Sequence, residues 1–306
     1  IIRTRTRCDE ALLKGSKVSF IATATIGYDH LDIEYLKRTH ITWTNCPGCN
    51  ANSVGQYIHS CLLLLEKEKG YDLSKTTVGL VGVGHVGHAV IEAIRPLGVQ
   101  ILLNDPPQKE ALRKAGKPHE FFLKMEELQE KCDIISFHTP LITKGPYPTF
   151  HLANKTFFNA LKKQPIIINT SRGAVVDNTD VLQALKDGII RDAIIDTWEN
   201  EPNINQELLN LIYIGTPHIA GYSADGKANA TRMALTALCN HFHLPVTFQI
   251  RVPQLPEEEL PESNLTETER ALVLYNPHTD SLKLKSHPTM FEELRGNYPL
   301  RREFIE

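Results

Sequence analysis

A glycine-rich turn between an apolar run and a helical stretch is the feature that most limits how this chain can fold. Residues 82–87 read Gly-Val-Gly-His-Val-Gly, which matches G-x-G-x-x-G. The apolar run Val78–Val83 leads into the turn, and a helical stretch over 86–97 follows it. Glycines in this position let a pyrophosphate approach the backbone N–H groups at a helix N-terminus. The pattern is weak evidence alone, but in this context it predicts a dinucleotide-binding βαβ unit.

An acidic residue follows at the spacing that this interpretation requires. Asp105 ends the next apolar run, about 20 residues after the turn. A carboxylate there can accept hydrogen bonds from both ribose hydroxyls of NAD and would repel the 2′-phosphate of NADP. The alternative is a glycine turn in an unrelated α/β fold with a solvated aspartate. We predict NAD as the cofactor, and its contacts in this region are assigned to Gly82, Gly84, His85, Val86, Gly87 and Asp105.

Short apolar runs alternate with helical stretches through the middle of the chain. These runs are Ile101–Leu103, Ile134–Phe137, Ile166–Ile168 and Ala193–Ile195. Such alternation is typical of a parallel sheet that helices cover on both faces. Two longer helices flank the block, one over 53–69 with Ser53 as its N-cap and one over 224–242. The sequence therefore predicts an α/β fold with a Rossmann-type doubly wound parallel sheet.

Three parts are expected along the chain. Residues 1–65, helped by a helix over 224–245, form one domain, and residues 66–223 form the Rossmann domain. A linker rich in Pro and Glu begins at Val252 and leads into a small third unit over 252–306. In this unit Ala271–Tyr275 is predicted as a strand and the stretch near Phe291–Leu294 as a helix.

Composition excludes several classes of protein. The net charge of −3 over 306 residues leaves no basic surface typical of nucleic-acid binding. No apolar run approaches the ~18–20 residues of a membrane span, and no signal peptide is recognised. Cys46 and Cys49 have CxxC spacing, but no second pair accompanies them, so we expect reduced thiols, no metal and a cytoplasmic location. The chain begins at Ile1 without Met, and we expect its natural N-terminus to be missing.

Polar side chains follow several of the apolar runs. Thr139, Ser171, Arg172, Asp196 and His218 each lie just beyond one. Because the carboxyl ends of parallel strands meet at one edge of the sheet, these groups are expected to line one cleft. Any one of them could be a turn or cap residue, as we expect for Asp177.

Three of the residues in this region match what oxidation of a 2-hydroxy acid requires. His218 suits the base, because the pKa of imidazole lies near neutrality. Arg172 suits the carboxylate anchor, because guanidinium binds carboxylate bidentately. Glu201 can fix the tautomer of the imidazole and favour its protonated form. A single His, Arg or Glu would be weak evidence, so the hypothesis depends on the three motifs following a dinucleotide site in order.

At these residues the sequence resembles the D-isomer-specific 2-hydroxyacid dehydrogenases. The matching segments are 81–87, 169–177, 196–202 and 217–221. The resemblance implies that Arg172, Glu201 and His218 are the catalytic residues and that Asp105 binds the adenosine ribose. It also implies cofactor contacts at Thr139, Ser171, Asp196 and Gly221. His85 departs from the usual residue of this family in the glycine turn.

Further segments are similar to the members of this family that act in vitamin B6 biosynthesis. They are 45–51, the loop over 137–152 and the tail over 294–303. This similarity implies oxidation of 4-phospho-D-erythronate to 2-oxo-3-hydroxy-4-phosphobutanoate, with substrate contacts at Thr4, Thr25 and Tyr222. It implies an incomplete flavodoxin-like substrate domain over 1–65 and a C-terminal α+β unit that makes a homodimer.

Alternatives remain open at this point. Arg3, Arg5 and Arg7 alternate, so a strand would place them on one face, where they could attract the substrate phosphate. A solvated strand face is the preferred interpretation for Arg5 and Arg7. The substrate could instead be 3-phosphoglycerate, glycerate or lactate. A protein of another class, an NAD(H)-sensing relative of corepressors, would bind the cofactor without substantial turnover.

Overall fold

The centre of the molecule is a six-stranded parallel sheet. The computed structural model describes residues 1–303. The strands lie in the order β4-β3-β5-β6-β7-β8. They are β3 (Thr77–Val81), β4 (Gln100–Asn104), β5 (Ile134–Phe137), β6 (Ile166–Asn169), β7 (Asp192–Ile195) and β8 (Ile214–Gly215). This confirms the doubly wound parallel sheet, and the short strand β8 is an addition to the five apolar runs.

The strands of this sheet read as continuous apolar runs because both of their faces are covered. Every residue of β5 and of β6 is buried. Ile134, Ile166 and Ile168 pack into the core on one face, while Ile135 and Ile167 pack into the core on the other. A strand buried on both faces leaves no position for a charged residue, which explains the sequence pattern.

Helices surround the sheet and continue beyond it. They are α1 (Glu10–Leu13), α2 (Ile33–Arg38), α3 (Ala51–Lys69), α4 (His85–Ile94), α5 (Pro106–Lys114), α6 (Met125–Lys131), α7 (Lys155–Asn159), α8 (Asn178–Lys186), α9 (Gln206–Leu211), α10 (Ala224–His241), α11 (Glu267–Leu274), α12 (Pro277–Ser286) and α13 (Phe291–Gly296). The prediction that Ser53 caps α3 is wrong, since the N-cap is Asn50. The Ser53 hydroxyl contacts Ser223 and Glu303 instead.

The N-terminal unit is smaller. Strands β1 (Phe20–Ala22) and β2 (Thr42–Thr44) form a two-stranded parallel sheet, which the bridge between Ile2 and Thr23 extends. The predicted strand that would align Arg3, Arg5 and Arg7 is wrong, because Thr6 N–H donates to the Arg3 carbonyl and closes a turn. Helix α10 packs on β1 through a small cluster of apolar side chains: Ala22, Ala24, Cys46, Cys49, Ala230 and Ala234.

The C-terminal helices pack against the six-stranded sheet and its covering helices. Leu272 and Tyr275 join the core on one side of the sheet, and Leu284 and Phe291 join the core on the other. The strand predicted at 271–275 is wrong, because most of it lies in α11. Thr266 starts this helix with a capping box to Glu269, which satisfies free N–H groups of its first turn. Over the described part of 252–303, the regular elements are all helical.

The last described residues lie between the two long helices. Arg301 is buried, and its guanidinium donates to the carbonyls of Ser53, Ile219 and Ala220. Glu303 accepts from the hydroxyls of Ser53 and Ser223 at 2.7 and 2.8 Å. This segment therefore ties the start of α3 to the start of α10. Within residues 1–303, no helix combines the length and apolar character of a membrane span.

Candidate active site

A hydrogen-bonded His and Glu lie beyond the carboxyl ends of β7 and β8. The Nδ1 atom of His218 is 2.8 Å from Glu201 Oε2 and 3.1 Å from Oε1. Burial opposes ionisation of Glu201, but His218, the Trp198 N–H and Arg295 together outweigh it and lower the pKa of this carboxyl. With Nδ1 directed at the carboxylate, Nε2 is the ring nitrogen left to exchange a proton with another molecule.

The loop that carries His218 is held from below by Asp196. The buried Asp196 carboxylate accepts from the Thr216 hydroxyl and from the N–H groups of Ile219 and Ala220, at 2.7, 2.7 and 3.0 Å. Burial raises the pKa of Asp196. His218 itself has a φ of 55°, which is uncommon for a residue with a side chain. Asp196 therefore fixes an unfavourable backbone conformation beneath the imidazole.

Glu199 occupies a different environment from Glu201. It accepts from His151 Nε2 at 2.7 Å and from the Asn178 N–H at 2.9 Å. Asp177 also contacts His151 and caps α8, as the sequence predicted. Glu199 thus anchors the loop around His151, and Glu201 is the carboxylate that contacts His218.

Arg172 lies where the N-terminal unit meets the large sheet. Its Nη1 donates to the Ser171 carbonyl at 2.8 Å. Its Nη2 is so close to Gly27 that a Cβ at that position would be 2.4 Å away. Its Nε is 3.6 Å from Asp29, whose side chain is exposed. The guanidinium therefore spans the cleft between the two units, and within residues 1–303 no hydrogen bond joins it to His218 or Glu201.

The glycine turn and Asp105 lie together at the end of β3. Gly82 has a φ of +91°, and a Cβ there would be 2.8 Å from the His138 carbonyl oxygen. Gly84 has nothing within 4 Å of such a position, so its surface is open. The Asp105 carboxylate accepts from the Val83 N–H at 2.8 Å and caps α5. A turn that needs glycine at its bend and leaves the next glycine open suits the close approach of a ligand.

His85 makes a contact that the motif did not predict. Its ring packs against Gly48, where a Cβ would be 2.9 Å from the ring. Gly48 belongs to the 46–49 turn, so the glycine loop touches the N-terminal unit here. Val86 and Gly87 form the first turn of α4 directly behind His85.

Four other residues were predicted as cofactor contacts. The Thr139 hydroxyl is buried and has no hydrogen-bond partner within residues 1–303, so it is free to bind a ligand. The Ser171 hydroxyl donates to Asn169 at 2.8 Å. The Gly221 carbonyl accepts from Asn50 at 3.0 Å. Asp196 is engaged with its own loop, as described above. Of the four, Thr139 has the uncommitted side chain.

The predicted substrate residues lie on both sides of the cleft. Thr4 is exposed in the turn that follows Ile2, and the Thr25 hydroxyl donates to the Gly27 carbonyl at 2.8 Å. Tyr222 follows the His218 loop, and Lys227 Nζ lies 5.2 Å from the centre of its ring. Burial and the charge of Arg3 lower the pKa of Lys227.

The positive charge of Arg3 therefore acts on Lys227. Within residues 1–303, neither of them has an ion-pair partner. Arg5 contacts Gly296, where a Cβ would be 2.5 Å from its Nη2. Arg7 pairs with Asp9 and is largely exposed, in agreement with a solvated side chain.

Sequence reasoning missed three residues that shape this site. Asn50 bonds to Gly221 from the N-terminal unit, Arg301 supports the carbonyls after His218, and Arg295 approaches Glu201 to 3.8 Å. The segment 294–303 gave a signal, since it resembled relatives, but its motif did not indicate a place beside the catalytic groups. Within residues 1–303, no group of three His, Cys, Asp or Glu side chains could hold a metal ion.

Comparison with known proteins places this geometry in a family. The model of the "D-isomer specific 2-hydroxyacid dehydrogenase, NAD binding domain" matches residues 62–220. The chain is 54% identical over 303 residues to the erythronate-4-phosphate dehydrogenase of Bacteroides fragilis, covering 99% of this chain and 85% of the relative. It is 53% identical to the enzyme of the same name from Bacteroides thetaiotaomicron, with the same shares covered.

Solved structures agree with the fold. The NAD⁺-bound 3-phosphoglycerate dehydrogenase of Entamoeba histolytica aligns with a TM-score of 0.66 at 27% identity, covering 82% of this chain and 81% of that one. That structure holds NAD⁺, the cofactor that the glycine turn and Asp105 predict for this chain. The chain belongs to the D-isomer specific 2-hydroxyacid dehydrogenase family, and its residues 62–220 are an NAD-binding domain of that family.

Proposed function

We propose that this protein oxidises 4-phospho-D-erythronate to 2-oxo-3-hydroxy-4-phosphobutanoate with NAD, as a step of pyridoxine 5′-phosphate biosynthesis. The observation that carries the chemistry is the short contact between His218 Nδ1 and Glu201. The substrate is supported by the 54% identity, over nearly the whole chain, to a relative named for erythronate 4-phosphate.

The residues present fit NAD. The open surface at Gly84, the buried free hydroxyl of Thr139 and the Asp105 carboxylate are what a pyrophosphate and a ribose diol need. Bound NAD would accept the hydride that leaves C2 of the substrate. The protein's own part is to bind the 2-hydroxy acid, orient it and remove the hydroxyl proton.

His218 is the proposed base. Its Nε2 takes the proton of the substrate hydroxyl, and Glu201 stabilises the imidazolium that forms. Arg172 binds the carboxylate and polarises the developing carbonyl. Because Arg172 also contacts Gly27, the proposed carboxylate anchor lies where the N-terminal unit meets the sheet. Thr4, Thr25 and Tyr222 are proposed to line the substrate side of the cleft.

Arg3 and Lys227 are proposed to hold the 4-phosphate. Arg3 belongs to the N-terminal unit and Lys227 to α10, which packs on the sheet of that unit, and the charge of Arg3 lowers the pKa of Lys227. A phosphate dianion between them would remove that repulsion and add charge-assisted hydrogen bonds. This arrangement favours a phosphorylated substrate over lactate or glycerate.

The test uses purified full-length protein and NAD with a panel of 2-hydroxy acids. The panel contains 4-phospho-D-erythronate, D-erythronate, 3-phosphoglycerate, glycerate and D-lactate, and the readout is NADH formation. We expect the highest kcat/KM with 4-phospho-D-erythronate. A higher kcat/KM with 3-phosphoglycerate would overturn the substrate. NADH binding without turnover of any acid would support an NAD(H)-sensing protein instead.

A homodimer in the cytoplasm is the proposed state of the protein. Large apolar side chains are exposed on the C-terminal part: Leu260, Val273 and Leu282. Truncation near Val252 would remove core residues as well, so point changes test this better. The double variant Val273→Glu, Leu282→Glu should sediment as a monomer while it keeps its fold. An unchanged dimer would place the interface elsewhere.

A further inference from the structure

Helix α13 places the cation Arg295 beside Glu201, the carboxylate of the proposed catalytic pair. Phe291, at the start of the helix, is fully buried and fixes it in the core. One turn later, Arg295 Nη1 lies 3.8 Å from Glu201 Oε2. Both side chains are largely buried, at 19% and 18% exposure. An ion pair with this little solvent is weakly screened, so its charge acts on the neighbouring groups.

Tyr222 holds the other side of Arg295. The Arg295 Cζ atom is 5.9 Å from the centre of the Tyr222 ring, within cation–π range. Tyr298 packs edge-on against the same ring at 6.1 Å. Within residues 1–303, the Arg295 Nε atom is buried and has no hydrogen-bond partner. The guanidinium is therefore placed by stacking and charge, and Glu201 is the carboxylate that it meets in the site.

Glu201 thus contacts two basic side chains. Its Oε1 accepts from the Trp198 N–H at 2.9 Å, and its Oε2 faces both His218 and Arg295. A carboxylate whose charge is shared with an arginine stabilises an imidazolium less than a carboxylate that faces the imidazole alone. Arg295 therefore favours the neutral form of His218, and this is the form that can act as the base.

We propose that Arg295 is a positioning residue of the dehydrogenase reaction, which acts through Glu201 to keep His218 neutral and oriented over a wider range of pH. The inference rests on the proposed roles of His218 and Glu201 but does not depend on which 2-hydroxy acid is the substrate. It gives the C-terminal part of the chain a function in the active site in addition to any role in association.

Several other charged groups lie around His218, Glu201 and Arg295. They are Asp196 beneath the His218 loop, the half-exposed Glu292 at 3.8 Å from the same Arg295 Nη1 atom, Lys227 over Tyr222, and Arg172 with Asp29 at the cleft. Arg295 is the cation among them that forms an ion pair with Glu201.

The test is the pH dependence of kcat/KM for oxidation in full-length Arg295→Gln. Loss of the cation leaves Glu201 to favour the protonated form of His218, so the acidic limb should move to higher pH by about 0.5 to 1 unit. Arg295→Lys keeps the charge, so its acidic limb should stay close to that of the unaltered protein. Arg295→Met keeps more of the stacking on Tyr222 and serves if the Gln variant does not fold.

Arg302→Gln is the matched control. Arg302 lies in the same segment and pairs with Asp225 at 2.9 Å, away from Glu201. Its loss should lower stability without moving the acidic limb. An unmoved limb in folded Arg295→Gln or Arg295→Met would overturn the proposal, and so would a higher KM with an unmoved limb, which would make Arg295 a substrate anchor. Full activity of His218→Ala would instead remove the proposed base itself, so the two failures can be told apart.

Discussion

The two walls of the active-site cleft differ in the number of their strands and in how completely those strands are buried. The wall made by the large sheet has six strands, and its central strands β5 and β6 are buried along their whole length. The opposite wall has two strands of three residues each, and no residue of β2 is buried. The cofactor turn, the proposed base and its carboxylate all belong to the first wall. The second contributes Gly27, Gly48 and Asn50, which touch Arg172, His85 and Gly221 across the cleft.

This difference separates two tasks. Proton transfer needs donor and acceptor held at hydrogen-bond distance, and densely packed strands supply that rigidity. Enclosing a substrate needs a wall that can move, and small contacts between the units are easily broken and remade. We therefore expect changes in the large wall to affect chemistry and changes in the small wall to affect substrate enclosure.

The largest effect should come from removing the base. His218→Ala should lower kcat by roughly 10²–10⁴-fold, because proton transfer to a positioned side chain is lost. NADH affinity should change little, because His218 is proposed to face the substrate. Steady-state kinetics and NADH fluorescence titration measure the two quantities. A large loss of NADH affinity would place His218 in the cofactor site and would contradict its proposed role toward the substrate.

A matched pair of core substitutions tests whether the two walls fold separately. Phe291→Ala in the large part should cost about 3–5 kcal/mol, and Leu36→Ala in the N-terminal unit about 2–5 kcal/mol. Both side chains are fully buried. Leu36→Ala should impair turnover while NADH binding persists, whereas Phe291→Ala should weaken both.

Thermal unfolding and NADH titration of the two variants check this comparison. Equal loss of NADH binding in both would mean that the small wall does not unfold on its own. The exposed Leu12, 55% accessible, provides the control, since Leu12→Ala should change stability by less than about 0.5 kcal/mol.

Cofactor choice should depend on the large wall alone. Asp105→Ala removes a carboxylate that can bind the ribose diol, so NAD affinity should fall about 10-fold or more. Discrimination against NADP should relax at the same time. Kinetics with both cofactors measure the change. If the unaltered protein prefers NADP, the interpretation of Asp105 is wrong.

The smallest predicted change is a displacement of the pH profile. Glu201→Gln keeps the shape of the side chain and removes the anion that favours imidazolium. The acidic limb of kcat/KM for oxidation should therefore move to lower pH, by about 1 unit. The direction is opposite to that expected for Arg295→Gln. Full activity with an unmoved limb would require a different carboxylate, although Glu199 is engaged with His151.

The large wall could be predicted from the sequence because its constraints are local. Strands buried on both faces must be apolar, and the glycine turn must follow one of them directly. Arg172 could be found because it lies just after such a strand, whereas His218 follows β8, which is not among the predicted runs, and was found from its motif. The pairing of His218 with Glu201 was available only through the chemistry of the reaction and through resemblance to relatives.

Features that depend on distant parts of the chain were missed or misassigned. Ser53 has the residue type of a helix cap, but Glu303, 250 positions away, binds its hydroxyl. The run Ala271–Tyr275 has strand-like composition, yet the capping box at Thr266 and burial of Leu272 place most of it in a helix. Arg295 carries no local mark of its proximity to Glu201, because that contact exists only after the sheet has formed.

The hydrogen bonds that Arg301 and Glu303 make near the starts of the two long helices also affect how the chain folds while it is being synthesised. Arg5 contacts Gly296, and residues 301–303 join the starts of α3 and α10, so a nascent chain still lacking residues 301–303 has none of these late contacts around Ser53 and Ser223. Ser53 and the carbonyls after His218 would lack Glu303 and Arg301 as hydrogen-bond partners until residues 301–303 leave the ribosome. Chains released before residue 301 would therefore contain the glycine turn and the catalytic pair but lack the contacts that join the starts of α3 and α10.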